Sequence, residues 1–242
     1  MAAPAWCRDL NQQLSILRAL AGAEEQAAPP APLGETEVSL FEARQAVTLP
    51  QDYRDFIVHV ADGGLGPVYG IVPLAAQPVA DQFPEPVDLA KPFTGAPPHH
   101  GCLFLAEIGC GYFYTLVVSG EHRGQVWSDY TAGDGAVARE ADSFRAWIEA
   151  WATGELAARL GKAAWDGLNA GGRSPVDAAI RDGAAWIDRL AAAATEAGPV
   201  ASARWAAAAF TRLYLGDVDG GRAAIAALAA LDADDGWLPE LR

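Results

Sequence analysis

One stretch limits what this chain can fold into more than any other. Tyr53, Phe56, Ile57 and Val60 recur at i, i+3, i+4 and i+7, the stripe of an amphipathic helix. The stripe runs directly into Asp62-Gly63-Gly64 and then Gly66-Pro67. Glycine supplies the left-handed backbone that ends a helix, and Pro67 fixes φ and pushes Gly66 toward extended backbone. Upstream, Pro50 is tolerated in a first helical turn, and Thr48 and Gln51 are spaced as a capping box. Downstream, VYGIVPL (68–74) has the β-branched and aromatic content of a strand. A helix must therefore turn sharply onto a sheet edge, with the glycines as the device that allows it. Tyr69 can bury its ring while its hydroxyl meets water or a partner. Asp62 and Tyr69 stand open between a structural and a binding role.

Around this hinge the chain organises itself by period and punctuation. Residues 6–21 read as a helix, with Leu10, Leu14 and Leu17 on one face. QAAPPAPLG (26–34) is a proline-rich connector, and a short helix over 35–45 buries Val38 and Phe41. Strand-like runs lie at 102–108, 112–119 and 124–130, joined by Gly109-Cys110-Gly111 and by the turn residues 120–124. The stretch 75–101 reads as loop. A helix over about 142–152 carries Phe144, Trp147, Ile148 and Trp151 on one side. Helices, then an antiparallel sheet, then a closing helix imply an α+β domain with helices on a mostly antiparallel mixed sheet. From 156 onward alanine dominates and strand signals cease. Helices are expected from Ser174-Pro175 to near Gly198-Pro199, over about 200–215, and over about 218–232. Residues 204–231 loosely resemble one tetratricopeptide-like hairpin, but a plain helical hairpin explains them better, because such repeats need neighbours to bury their faces. The expected organisation is thus 1–155 as one domain and 156–242 as an all-helical extension.

Charge narrows the function. Residues 1–155 hold 8 lysines and arginines against 20 acidic residues, a net of −12, while 156–242 hold 9 against 11, a net of −2. Nucleic acid and anionic lipid are bound through phosphate neutralisation by Lys and Arg, so neither is an expected ligand. A basic partner is, although acidity also serves solubility alone. No signal peptide core opens the chain and no run of about 18 apolar residues crosses it, which points to the cytoplasm. Three cysteines, Cys7, Cys102 and Cys110, with no CxxC pair, indicate neither a disulfide framework nor a zinc site.

Chemistry for catalysis is thin. The glycine turn lacks the Lys of a Walker loop and reverses the strand-to-helix order of a dinucleotide site. His99-His100 sit in a proline loop without a helical partner, His59 lies off its helix stripe, and His122 falls in a turn. There is no GxSxG, and Cys102 and Cys110 lie in or beside apolar strands, where a thiol behaves as a small buried hydrophobe. Glu107 and Asp129 could stand on neighbouring strands as an acid–base pair, though in so acidic a chain proximity by chance is common. No catalytic residue, metal or cofactor is assigned.

LPQDYRDFIVHVADGGLGPVYGIVPL (49–74) resembles the signature of the SUKH superfamily, which includes fungal cell-wall-assembly regulators and many bacterial toxin-immunity proteins. The matching positions are Leu49, Pro50, Tyr53, Arg54 and Phe56, then Gly63, Gly64, Gly66, Pro67, Tyr69 and Gly70, with Asp62 where the family carries an acidic residue or Asn. The likeness continues through Gly109, Gly111 and Trp127 to Phe144, Trp147 and Trp151 and covers roughly 33–155; the C-terminal helices lie outside it. The resemblance implies helices on one sheet face and a shallow surface for protein contact. It implies an immunity protein that blocks the basic cleft of a cognate toxin, often a nuclease or nucleic-acid deaminase. Asp62, Tyr69, Glu107, Asp129 and Tyr130 are the candidate contacts, as polar or amphipathic residues at strand ends and turns. Two other readings remain: a scaffold or regulatory protein with endogenous partners, and a hydrolase using carboxylates on the sheet.

Overall fold

The apolar stripe folds as expected, and the residues beyond it build the rest of the architecture. The structure, a computed structural model, describes residues 2–21, 30–77, 101–130, 132–133, 137–172, 174–192 and 199–231. Helices α1 (Ala5–Leu20), α2 (Glu35–Gln45) and α3 (Gln51–His59) precede strands β1 (Cys102–Gly109), β2 (Tyr112–Val117), β3 (Val126–Asp129) and β4 (Val137–Ala141). Helices α4 (Phe144–Asn169), α5 (Asp177–Gly183), α6 (Ile187–Ala192), α7 (Pro199–Tyr214) and α8 (Val218–Leu231) follow. The chain forms two compact units: 1–11 with 28–151, and 12–27 with 152–242.

The first unit is α+β. Its four strands form one antiparallel sheet in the order β1-β2-β3-β4. Phe144 of α4 is fully buried, edge-on to Tyr53 at 5.0 Å and to Phe56 at 5.1 Å, and Ile57, Leu103 and Leu116 are fully buried in the same unit. Two carboxylates fix helix starts. Glu37 accepts from the Gly34 N–H at 2.8 Å to open α2, and Asp52 accepts from the Arg145 N–H at 2.7 Å, capping α4 from α3. Arg123, in the β2–β3 turn, donates to the carbonyls of Thr48 and Leu49 at 2.9 and 2.8 Å.

Several expectations need correction. The 68–74 run is not a strand. Pro67 to Gly70 is a turn, Pro73 has no N–H to give, and only Ile71 pairs, with Gly64, in an isolated bridge. Thr48 and Gln51 form no capping box: Pro50 is the N-cap of α3, no side chain caps it, and Gln51 donates to Asp55 instead. Helix α4 continues to Asn169, beyond the expected end near 152, because Leu156, Leu160 and Ala164 carry its buried face onward. The helix expected from 174 breaks into α5, a 3-10 turn at Ala184–Trp186 and α6, where Gly183 lies against Leu160. All four strands are antiparallel, and β4 had no strand signal of its own. The His99-His100 pair and most of the 75–101 loop lie outside the described residues.

The second unit is helical among its described residues. Ala164, Ala206, Phe210 and Leu228 make one cluster, with Trp165 against Phe210 at 5.0 Å. Tyr214 donates to Asp177 at 2.6 Å and accepts from the Ser174 N–H at 3.2 Å. Gly216, at φ 83°, closes the α7–α8 hairpin, and Asp217 accepts from the Gly220 N–H at 2.9 Å to start α8. No helix among the described residues is long and apolar enough to cross a membrane.

Candidate protein-binding surface

The glycine turn is a closed loop whose construction dictates its residues. Gly64 and Ile71 exchange two backbone hydrogen bonds, 2.9 and 2.7 Å, and the Val72 N–H donates to Leu105 of β1 at 2.8 Å. Asp62, 7% exposed, accepts from the Leu74 N–H at 2.6 Å and so ties the two ends together. Gly63 and Gly70 both stand at φ 92°, and a β-carbon on them would meet Ile71 O at 2.7 Å and Gly64 O at 2.4 Å. Gly66 has no such φ, but a β-carbon there would strike Ile71 at 2.6 Å. Glycine at these positions is a packing requirement as well as a backbone one.

This loop presents its tip to solvent. Val68 is 56% exposed and Tyr69 75%, so the expectation that Tyr69 buries its ring is overturned. Val68 has φ 53°, a left-handed conformation that a β-branched residue adopts at a cost of roughly 1–3 kcal/mol. The Gly70 N–H, bonded to Pro67 O at 2.9 Å, holds the turn in that shape. The tip thus combines a strained backbone with exposed apolar side chains.

The tip leads onto a row of tyrosines. A β-carbon on Gly109 would lie 3.5 Å from the Tyr69 ring, so Tyr69 sits beside the end of β1. Gly109 pairs with Tyr112, and the Tyr112 ring lies 5.1 Å from Tyr130. Tyr114, two residues along β2 on the same face as Tyr112, pairs with Ser128 and packs on Trp147 at 5.3 Å. Its hydroxyl bonds that of Tyr130 and is pushed up to about 12, by burial first and then by Tyr130 and Glu140. Four of the six tyrosines in the chain thus gather at one end of the sheet.

The five candidate contacts divide. Tyr69 and Tyr130 are brought to this row. Glu107 is exposed but pairs with Phe113, which in turn pairs with Asp129, so both acids belong to the face opposite Tyr112 and Tyr114. They are not on neighbouring strands: β2 and Phe113 stand between them, about 10 Å of sheet, too far for a carboxylate pair to share one proton. Asp129 is only 3% exposed, and Asp62 is likewise inside, so neither offers its carboxylate to the surface. Burial pushes the Asp62 carboxyl up despite the Leu74 hydrogen bond. Tyr112 and Tyr114 were missed: strand period puts them on one face, but only the packed structure shows that Tyr69 and Tyr130 gather beside them. Cys110 is exposed at φ 55° rather than buried, because the tight β1–β2 turn throws it outward. Cys7 and Cys102 are buried thiols, both pushed up to about 12 chiefly by desolvation. Of the remaining signature positions, Leu49, Phe144 and Trp147 are core, and Trp127 bonds Gln125 at 3.1 Å. No group of three or more metal-ligating side chains occurs among the described residues.

The fold and the loop define a class: an α+β domain in which a helix enters an antiparallel sheet through a glycine-built turn. Residues 32–150 match the SMI1 / KNR4 family (SUKH-1), and through this segment the chain belongs to the SUKH superfamily. Neither a curated protein nor a solved structure matches the chain.

Proposed function

We propose that this protein is an immunity protein that neutralises a cognate bacterial toxin by stoichiometric occlusion of its active site. The domain is a SUKH domain, and a general protein-binding or immunity role comes with that family. The finer reading rests above all on Tyr69, held outward on a strained turn and continued by Tyr112, Tyr114 and Tyr130. Tyrosine offers large, rigid contact area with a polar tip, and aromatic anchors carry much of the energy of protein interfaces. The net −12 of residues 1–155 suits a basic partner of the nuclease or deaminase class and speeds its capture. In this reading the protein is not an enzyme, uses no cofactor, acts in the cytoplasm, and binds neither nucleic acid nor membrane. Residues 1–155 are the binding domain and 156–242 a helical extension.

A second reading, a regulatory scaffold with endogenous partners, is favoured by the helical second unit, which the family match does not cover. Co-expression separates the two. A toxin encoded by the adjacent gene is expected to lose its lethality and to co-purify one-to-one with this protein, and Tyr69→Ala is expected to weaken both. A toxin that stays lethal and never co-purifies leaves the scaffold reading.

A further inference from the structure

We propose that the tyrosine row, with Glu140 as counter-charge, is a subsite for an arginine side chain of the basic partner protein. This rests on the protein-binding reading above and deepens it.

Register places the groups together. Ser128 pairs with Tyr114 on one side and with Ala138 on the other. Glu140 stands at a β-bulge, where the register shifts between Val126 and Trp127, and its contact with Ser128 puts its carboxylate on the tyrosine face of the sheet. Its Oε1 accepts from Ser128 Oγ at 2.6 Å, and Ser128 is wholly buried. A fixed serine thus holds one carboxylate oxygen, and Glu140 itself is exposed. Among the described residues no lysine or arginine pairs with Glu140. Its neighbour Arg139 pairs with Trp127 in the register, so it belongs to the other face, and bonds Asp142 at 3.1 Å. Other cations are likewise engaged: Arg54 by Glu35 and Glu42, Arg145 by Glu149, Arg159 by Glu155. Glu140 is a preorganised carboxylate in the field of Tyr114 that lacks a cation of its own among the described residues.

That combination suits a guanidinium better than an ammonium. The planar fork stacks on a tyrosine ring while its N–H groups meet a carboxylate, and it is more weakly hydrated than lysine. Tyr114 and Tyr130, whose hydroxyls bond each other with Tyr114 in the field of Glu140, offer the rings and Glu140 the charge.

The test uses the full chain and two probes, fluorescently labelled hexa-arginine and hexa-lysine amides, titrated by anisotropy at near-physiological salt. The arginine probe is expected to bind more tightly than the lysine probe. Glu140→Gln, which keeps the serine contact, is expected to weaken the arginine probe by about fivefold or more. Tyr130→Leu is expected to erase the arginine preference. Glu121→Gln, an exposed carboxylate in the β2–β3 turn, is expected to change affinity by less than about twofold. Equal loss in Glu140→Gln and Glu121→Gln, or equal affinity for both probes, overturns the subsite and leaves only the diffuse negative field. An arginine preference in a protein that neutralises no toxin keeps the subsite and removes the immunity reading. Neutralisation without the preference does the reverse.

Discussion

The two units use small residues in opposite ways. In the sheet unit, glycines sit where a β-carbon would strike backbone: Gly63 against Ile71 O, Gly70 against Gly64 O. In the helical unit, small residues bring helices close, as where a β-carbon on Gly161 would lie 3.0 Å from Ala207. The first use shapes a loop that holds Val68 and Tyr69 outward, and the second packs a core. The lesson is that glycine content alone says little; what a β-carbon would meet says which residues are fixed by function-bearing geometry and which by helix packing.

That contrast can be broken or sharpened by substitution. The largest effect is expected from Gly70→Ala, which adds both a clash at 2.4 Å and a left-handed φ of 92°. It is expected to remove about 3 kcal/mol or more from the sheet unit in urea unfolding. In the helical unit, Ala208→Leu overfills a fully buried position and is expected to remove about 2 kcal/mol by the same assay. Gly216→Ala is next, at about 1–2 kcal/mol, since φ is 83° but nothing lies within 4 Å of the new β-carbon. Were Gly216→Ala to cost as much as Gly70→Ala, crowding would be irrelevant and the contrast would fail.

Smaller effects probe the interior of the turn. The Tyr53 hydroxyl is buried with no hydrogen-bond partner among the described residues, and burial and then Asp62 raise its pKa. Tyr53→Phe is therefore expected to be neutral or to stabilise by about 1 kcal/mol. Asp62 has a raised pKa in the folded state, so the native protein holds its proton more tightly than the unfolded chain. Its contribution is fully present below the ordinary carboxylate value and is lost as pH rises through the raised one. Asp62→Asn keeps an acceptor for the Leu74 N–H and does not titrate. Its stability is expected to fall less steeply with pH across that window, measured by thermal melts from pH 3 to 7. A wild-type slope of opposite sign relative to Asp62→Asn would contradict the assignment of desolvation as the cause.

Much of this was legible in the sequence where the cause is local. The i, i+3, i+4, i+7 stripe marks α3, the 35–45 pattern marks α2, and the β-branched runs mark β1 to β3. What was not legible depends on distant partners. Val137–Ala141 reads VAREA, poor in strand formers, and becomes β4 only because β3 offers it a ladder. The 68–74 run has strand composition, yet the closure of Gly64 on Ile71 makes it a loop. At the candidate site Tyr69 and Tyr130 were visible as turn and strand-end aromatics. Tyr112, Tyr114 and Glu140 were not, because cross-strand contacts and the Ser128 hydrogen bond to Glu140 are what gather them. Asp62 and Asp129 were visible as acids, but burial is a property of the packed core and does not show in the sequence.

The most direct test of the tyrosine surface is a calorimetric titration of Tyr69→Ala with the neighbouring toxin, beside thermal melts of the same variant. Because Tyr69 is exposed, the melting temperature is expected to stay within about 2 °C of wild type. The affinity is expected to fall by about thirtyfold or more, as for an interface anchor. Unchanged affinity with unchanged stability would contradict the account and move the binding surface elsewhere on the protein.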